Sequence, residues 1–174
     1  MKDPVSVRGL VLLLGISICM HIALQAQPRR WDGEAGDSLW SNPLNWEGNA
    51  VPASSDDVVL DNSLLIQTYT VKLAEGTASV TLRSLLLSPS DAYGITLLIP
   101  SINKSAPALS VLASPGIQIG KGATLVNASG AASGNVISVS DSLRILDGGR
   151  FVQRSETAHA TLLGRLAAGA GTAK

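Results

Sequence analysis

The sequence predicts an all-β protein, a right-handed parallel β-helix (β-solenoid) with an N-terminal Trp-rich cap, and three observations carry that prediction. The first is composition. Of 174 residues 45% are hydrophobic, 15% charged and 3% aromatic, so the interior is built from small and branched side chains, which suit pleated strands better than a helical bundle. The second is periodicity. After Asp56-Asp57 short apolar segments alternate at period two and are divided by Gly, Ser, Asn and Pro, the pattern of strands and turns. The third is a repeat: GIQIGKGATLVNAS (116–129) lies over SLRILDGGRFVQRS (142–155) without a gap, at an offset of 26. A period in the twenties with glycine at the corners is what one solenoid coil needs. A β-sandwich is the alternative, since its strands also recur at short intervals. The scarcity of Asn-Gly-type hairpin signals weighs against a meander.

Taken in order, residues 1–26 read as a secretory signal peptide. Lys2 and Arg8 precede an apolar run, 9–24, ending in Gln25-Ala26-Gln27, with cleavage expected after Ala26. The run contains His21 and falls short of the roughly 20 apolar residues that span a bilayer. Ile18 stands before Cys19 where a lipidation site has a small residue. Cleavage removes the single Cys and leaves a mature chain in an oxidising compartment without a disulfide. That chain carries 11 basic and 12 acidic side chains, so it lacks the basic footprint that nucleic acid or an anionic membrane surface requires.

Residues 27–56 hold all three Trp and many turn formers. A solenoid exposes the apolar end of its first coil, so these bulky side chains are expected to cap it. Residues 57–174 are expected to form the coils. Tyr69, Val71 and Leu73 share one face, as do Val80 and Leu82, Ile117 and Ile119, Ile137 and Val139, and Leu143 and Ile145. The repeat superposes Ile117 on Leu143, Ile119 on Ile145, Gly122 on Gly148, Leu125 on Phe151, Val126 on Val152 and Ser129 on Ser155. An earlier copy runs from Leu85-Leu86-Leu87 to Gly94-Ile95-Thr96-Leu97, which makes Gly94, Gly122 and Gly148 the structural glycines at coil corners. Residues 161–168 are compatible with a short helix. No sealing element is evident after 158–174, so the chain is expected to be the N-terminal part of a longer protein, with an open solenoid end that favours self-association.

Several groups are candidates for chemistry. Trp31, Trp40 and Trp46 could stack on sugars. Asp56, Asp57 and Asp61 could offer hard oxygen ligands to calcium, although no Asp-x-Asp-x-Asp-Gly loop is present and turn chemistry accounts for them equally. Asp147, Arg150 and Arg154 are charged positions near a corner, the kind of set used by enzymes acting on acidic polysaccharides. His159, near Glu156, is the mature chain's lone His, and no catalytic or nucleotide-binding motif is found. Asn103-Lys104-Ser105 and Asn127-Ala128-Ser129 match the glycosylation pattern. No cofactor is expected.

Trp31-Asp32-Gly33, Trp40-Ser41 with Asn45-Trp46, Val51-Pro52 with Asp56-Asp57-Val58, Tyr69-Thr70-Val71 and the run at 125–135 together resemble the N-terminal region of large secreted bacterial surface proteins with right-handed parallel β-helix repeats, of the kind exported by a type IX system. The resemblance covers residues 28–170 and brings no catalytic residues with it. It implies a non-enzymatic scaffold or adhesion role, secreted or at the cell surface, with extracellular polysaccharide or a cell-surface component as partner. A carbohydrate-binding module using the Trp residues and a polysaccharide-acting enzyme centred on Asp147 and Arg150 are the competing functions.

Overall fold

The computed structural model describes residues 27–155 together with Leu166–Ala168 and Thr172–Ala173. The order of elements is β1 (Arg29–Arg30), a 3₁₀ turn (Pro43–Asn45), β2 (Asp57–Asp61), β3 (Tyr69–Lys72), β4 (Val80–Leu82), β5 (Ser84–Ser88), β6 (Ile95–Ile99), β7 (Leu109–Val111), β8 (Ile117–Ile119), β9 (Ala123–Asn127), β10 (Ile137–Val139), β11 (Leu143–Ile145), β12 (Arg150–Gln153), β13 (Leu166–Ala168) and β14 (Thr172–Ala173).

From β2 to β12 each strand pairs in parallel with the one three places on, so the chain winds rather than folds back. Sheet I runs β1-β2-β5-β8-β11-β13, sheet II runs β3-β6-β9-β12-β14 and sheet III runs β4-β7-β10. About five coils result. This is a parallel β-helix, and the sandwich alternative, whose sheets are antiparallel, is set aside. The 26-residue offset holds residue by residue: Leu143 pairs with Ile117, Ile145 with Ile119, Phe151 with Leu125 and Val152 with Val126. Leu85 pairs with Ile117 and Ile95 with Ala123, so the earlier copy is also in register.

The core is a set of columns along the coil axis. Val58, Leu85, Ile117 and Leu143 form one, and Leu60, Leu87, Ile119 and Ile145 its neighbour, all at most 1% exposed. Val71, Leu97, Leu125 and Phe151 line sheet II, and Val80, Leu109 and Ile137 line sheet III. Each strand has only two or three inward positions, so a coil cannot bury its apolar row alone and depends on the coils above and below.

The cap closes the N-terminal end with backbone as well as rings. β1 pairs with β2, while Leu39 bridges to Lys72 in parallel and Trp40 N–H donates to Lys72 O at 2.9 Å. Between these contacts and β2 the chain passes Pro52, which is buried and has no N–H to donate, and Asp56 O accepts Arg83 N–H at 2.9 Å. Trp46 packs edge-on against Trp31 at 5.1 Å and against Trp40 at 4.6 Å between ring centroids, and Trp31 stacks on Tyr69 at 6.3 Å.

One expectation is corrected. Leu166–Ala168, placed within a short helix at 161–168, forms strand β13 paired with β11. Winding past β12 brings these residues onto the open edge of sheet I, and that edge outweighs the helical preference of Leu and Ala. Residues 161–165, like the expected signal peptide at 1–26 and Glu156 and His159, lie outside the described residues.

Candidate functional site

The three tryptophans are brought together, but inside. Trp31, Trp40 and Trp46 are 2%, 2% and 0% exposed, and Trp46 Nε1 donates to Trp40 O at 2.8 Å. Their faces are turned to one another and to Tyr69, so stacking on a sugar would require the cluster to open. Below the rings lies a polar hub. The exposed Asp37 carboxylate accepts from Asn42 Nδ2 at 2.6 Å, Leu39 N–H at 2.9 Å and Asn45 Nδ2 at 2.6 Å. These donors, that of Asn42 foremost, hold its pKa below the ordinary carboxylate range. Asn45 is fully buried and also donates to Leu39 O and accepts from Ala35 N–H.

Asp56, Asp57 and Asp61 do not converge. Each pairs with a different arginine: Asp56 with Arg29 at 3.4 Å, Asp61 with Arg30, and Asp57 with Arg83. The alternation of β2 separates Asp56 from Asp57 and places Asp61 at the far end of the strand. Burial pushes the Asp57 carboxyl up, but hydrogen bonds from Arg83 and Ser84 with the Arg83 charge outweigh it, leaving a net lowering. Among the described residues no three His, Cys, Asp or Glu side chains gather as metal ligands. Arg29–Asp56 closes the cap on itself, and Arg30–Asp61 ties the cap to the first coil.

The three glycines stack at the corner between sheets I and II. Tyr69 N–H donates to Gly94 O, Ile95 N–H to Gly122 O, and Gly122 N–H to Gly148 O. Gly122 and Gly148 have φ of 78° and 72°, the left-handed region that favours glycine. Gly94 does not, and a Cβ there would meet only ordinary contacts. Asp147 lies at this corner, whereas Arg154 follows β12 at its other end; Asp147, Arg150 and Arg154 are all exposed and stand apart along the strand.

The corner between sheets II and III carries the polar groups that sequence reading assigned elsewhere. Asn103 and Asn127, which match the glycosylation pattern, are fully buried: in the folded chain neither amide reaches solvent. Asn103 Nδ2 donates to Ala74 O at 2.6 Å and Ala78 O at 3.0 Å, and its Oδ1 accepts Ser105 N–H at 2.9 Å. Asn127 Nδ2 donates to Gln153 Oε1 and its Oδ1 accepts Ser129 N–H, both at 3.1 Å. The Asn-x-Ser spacing is that of an Asx turn as much as of an acceptor site. Outside these turns a trench of about 570 Å³ opens between Ser101 of the second coil, 128–132 of the third, and Arg154 and Ser155 of the fourth. A smaller groove, about 380 Å³, lies on the outer face of sheet I over Val59, Leu86 and Gln118, with Gln27 and Pro28 at its rim.

No helix among the described residues is long and apolar enough to cross a membrane. In comparisons with known proteins, no family model, no curated protein and no solved structure matches the chain.

Proposed function

We propose that this chain is an exported, non-enzymatic β-helix segment of a secreted or cell-surface protein, acting as a rigid scaffold in adhesion. The observation that carries this reading is where the polar side chains go: in the described coils they are spent on stacking. Asp56, Asp57 and Asp61 hold arginines 26 to 31 residues away, and Asn103, Asn127 and Ser129 bond to backbone or side chains of neighbouring coils. A polar network satisfied in this way rigidifies a core. The apolar run at 9–24 and the resemblance of the Trp-rich segment to bacterial surface proteins point in the same direction.

The test is made on the protein in its source cells. Surface labelling should reach the chain, and N-terminal sequencing of the exported form should begin at Gln27. Protein retained inside the cell with residues 1–26 intact would overturn the reading. Assays on neutral and acidic polysaccharides should show no turnover; turnover that disappears in Asp147→Ala would instead establish the enzyme.

A further inference from the structure

The apolar side chains left outside the core gather at the capped end. Among the described residues eight large hydrophobics are exposed, and five of them, Leu39, Leu44, Val51, Leu64 and Ile66, fall between Trp31 and Val71. Ile66 is the most open, at 71%. The other three, Ile102, Leu112 and Leu146, follow β6, β7 and β11 and so stand at three different corners. Single exposed apolar residues are ordinary, whereas a group of them at one end of a molecule marks a contact surface. The turns that present them are pinned. Asn42 Oδ1 accepts Leu44 N–H at 3.1 Å, and Asn62 Nδ2 donates to Leu65 O at 3.0 Å and to Gln67 O at 2.8 Å, which fixes the loop carrying Leu64 and Ile66. A surface already held in shape loses little entropy on binding.

Where that loop meets the cap, the surface has a dimple. Gly33 has a φ of 65°, and a Cβ on it would lie 2.8 Å from Leu65 Cδ2 and 3.0 Å from Trp31 Nε1, so glycine alone leaves the space open. Trp31 Nε1 has no acceptor among the described residues, whereas Trp46 Nε1 donates to Trp40 O. Trp31 is 2% exposed. It therefore holds a nearly buried donor, beside a gap in the surface, without the acceptor that buried donors ordinarily have.

Charge selects the partner. From Trp31 to Val71 the chain contains no Lys, Arg or His. Asp32, Glu34 and Glu47 enter no salt bridge among the described residues, and the nearest cations are engaged, Arg29 with Asp56 and Glu47 O and Arg30 with Asp61. Carboxylates around aliphatic groups repel nucleic acid, an anionic membrane and the cap of a second copy alike, and they attract a cationic polypeptide.

We propose that the capped end docks a partner protein through a segment combining Lys or Arg with aliphatic side chains. The aliphatic groups lie on Leu44, Leu64 and Ile66, the cations meet Asp32 and Glu34, and a backbone carbonyl of the segment accepts from Trp31 Nε1 over Gly33. This goes beyond the scaffold reading and does not depend on it.

The experiment uses the full chain, with the form beginning at Gln27 beside it, and a synthetic amphipathic Lys/Leu peptide as probe, measured calorimetrically at physiological salt. A Glu/Leu peptide of the same pattern and anionic lipid vesicles are the comparisons. The Lys/Leu peptide should bind both forms and shift the Trp31 indole N–H resonance, and neither comparison should bind. Ile66→Ser should weaken binding about tenfold and Glu34→Gln about threefold, both with unchanged circular dichroism, while Leu112→Ser at a distant corner should leave it unaltered. No binding of the Lys/Leu peptide, equal binding of the Glu/Leu peptide or the vesicles, or unchanged binding by the Ile66→Ser/Glu34→Gln double variant would overturn the proposal. Binding by the form beginning at Gln27 alone would assign the surface to residues 1–26 instead. A doubled mass in light scattering that Ile66→Ser abolishes would assign it to a second copy.

Discussion

Gly94 and Gly122 occupy equivalent corners on successive coils, yet only Gly122 needs to be glycine. A Cβ at Gly122 would sit 3.2 Å from Tyr93 O and 3.3 Å from Pro89 Cγ in a left-handed backbone, a conformation that costs an L-residue about 1–2 kcal/mol. Gly122→Ala is therefore expected to lower the free energy of unfolding by at least that amount in urea titration, while Gly94→Ala should change it little. Asn103 makes a second case. Asn103→Ala would strand the carbonyls of Ala74 and Ala78 and the N–H of Ser105, and each unpaired buried group costs about 1–3 kcal/mol. Chains carrying that change should show a marked loss of midpoint in thermal unfolding. Sequence could not distinguish these roles, because an Asx turn and a glycosylation acceptor share the pattern Asn-x-Ser, and because φ at a corner depends on the coil below it.

The stability of the cap answers to pH. Asp37 organises it through Asn42, Leu39 N–H and Asn45, and these bonds lower its pKa in the folded state. A carboxylate with a depressed folded value contributes stability that is fully present above its unfolded value, near 3.9, and is lost as pH falls below it. The near-UV signal of the Trp cluster should accordingly weaken below about pH 4, and Asp37→Asn should flatten that acid limb. A loss of signal identical in the Asn variant would show that other groups control it. Within the same element, Trp46→Ala removes a fully buried ring and the bond to Trp40 O, with an expected cost of about 3–5 kcal/mol. The cap was legible as a cluster of Trp residues, but its ionic ties were not: Arg29–Asp56 and Arg30–Asp61 join residues 27 and 31 apart, a pairing that appears only once β1 lies on β2.

For the molecule as a whole, the repeat was the most readable feature. A gapless offset of 26 places Ile117 and Leu143 on the same column because period-two alternation and corner glycines constrain both strand face and coil length. Deletion of residues 117–142, one full coil, should leave a chain that folds with β8 replaced by β11 against β5, retaining its β-type circular dichroism with a modest loss of stability. Removing half of that segment should destroy cooperative unfolding, since inward rows would meet outward ones. What the repeat did not reveal was the fate of residues past β12: the Leu-Ala segment suits a helix by composition, and only the open edge of sheet I makes it strand β13.

The closed end of this stack is also the end of the chain that emerges first. A molecule threaded N-terminus first through ribosome or exporter would complete its seal before most coils exist, and every later coil would meet a finished edge on which to lay itself down. Growth then proceeds in one direction by templating, each turn costing one short loop closure rather than a search among distant strands.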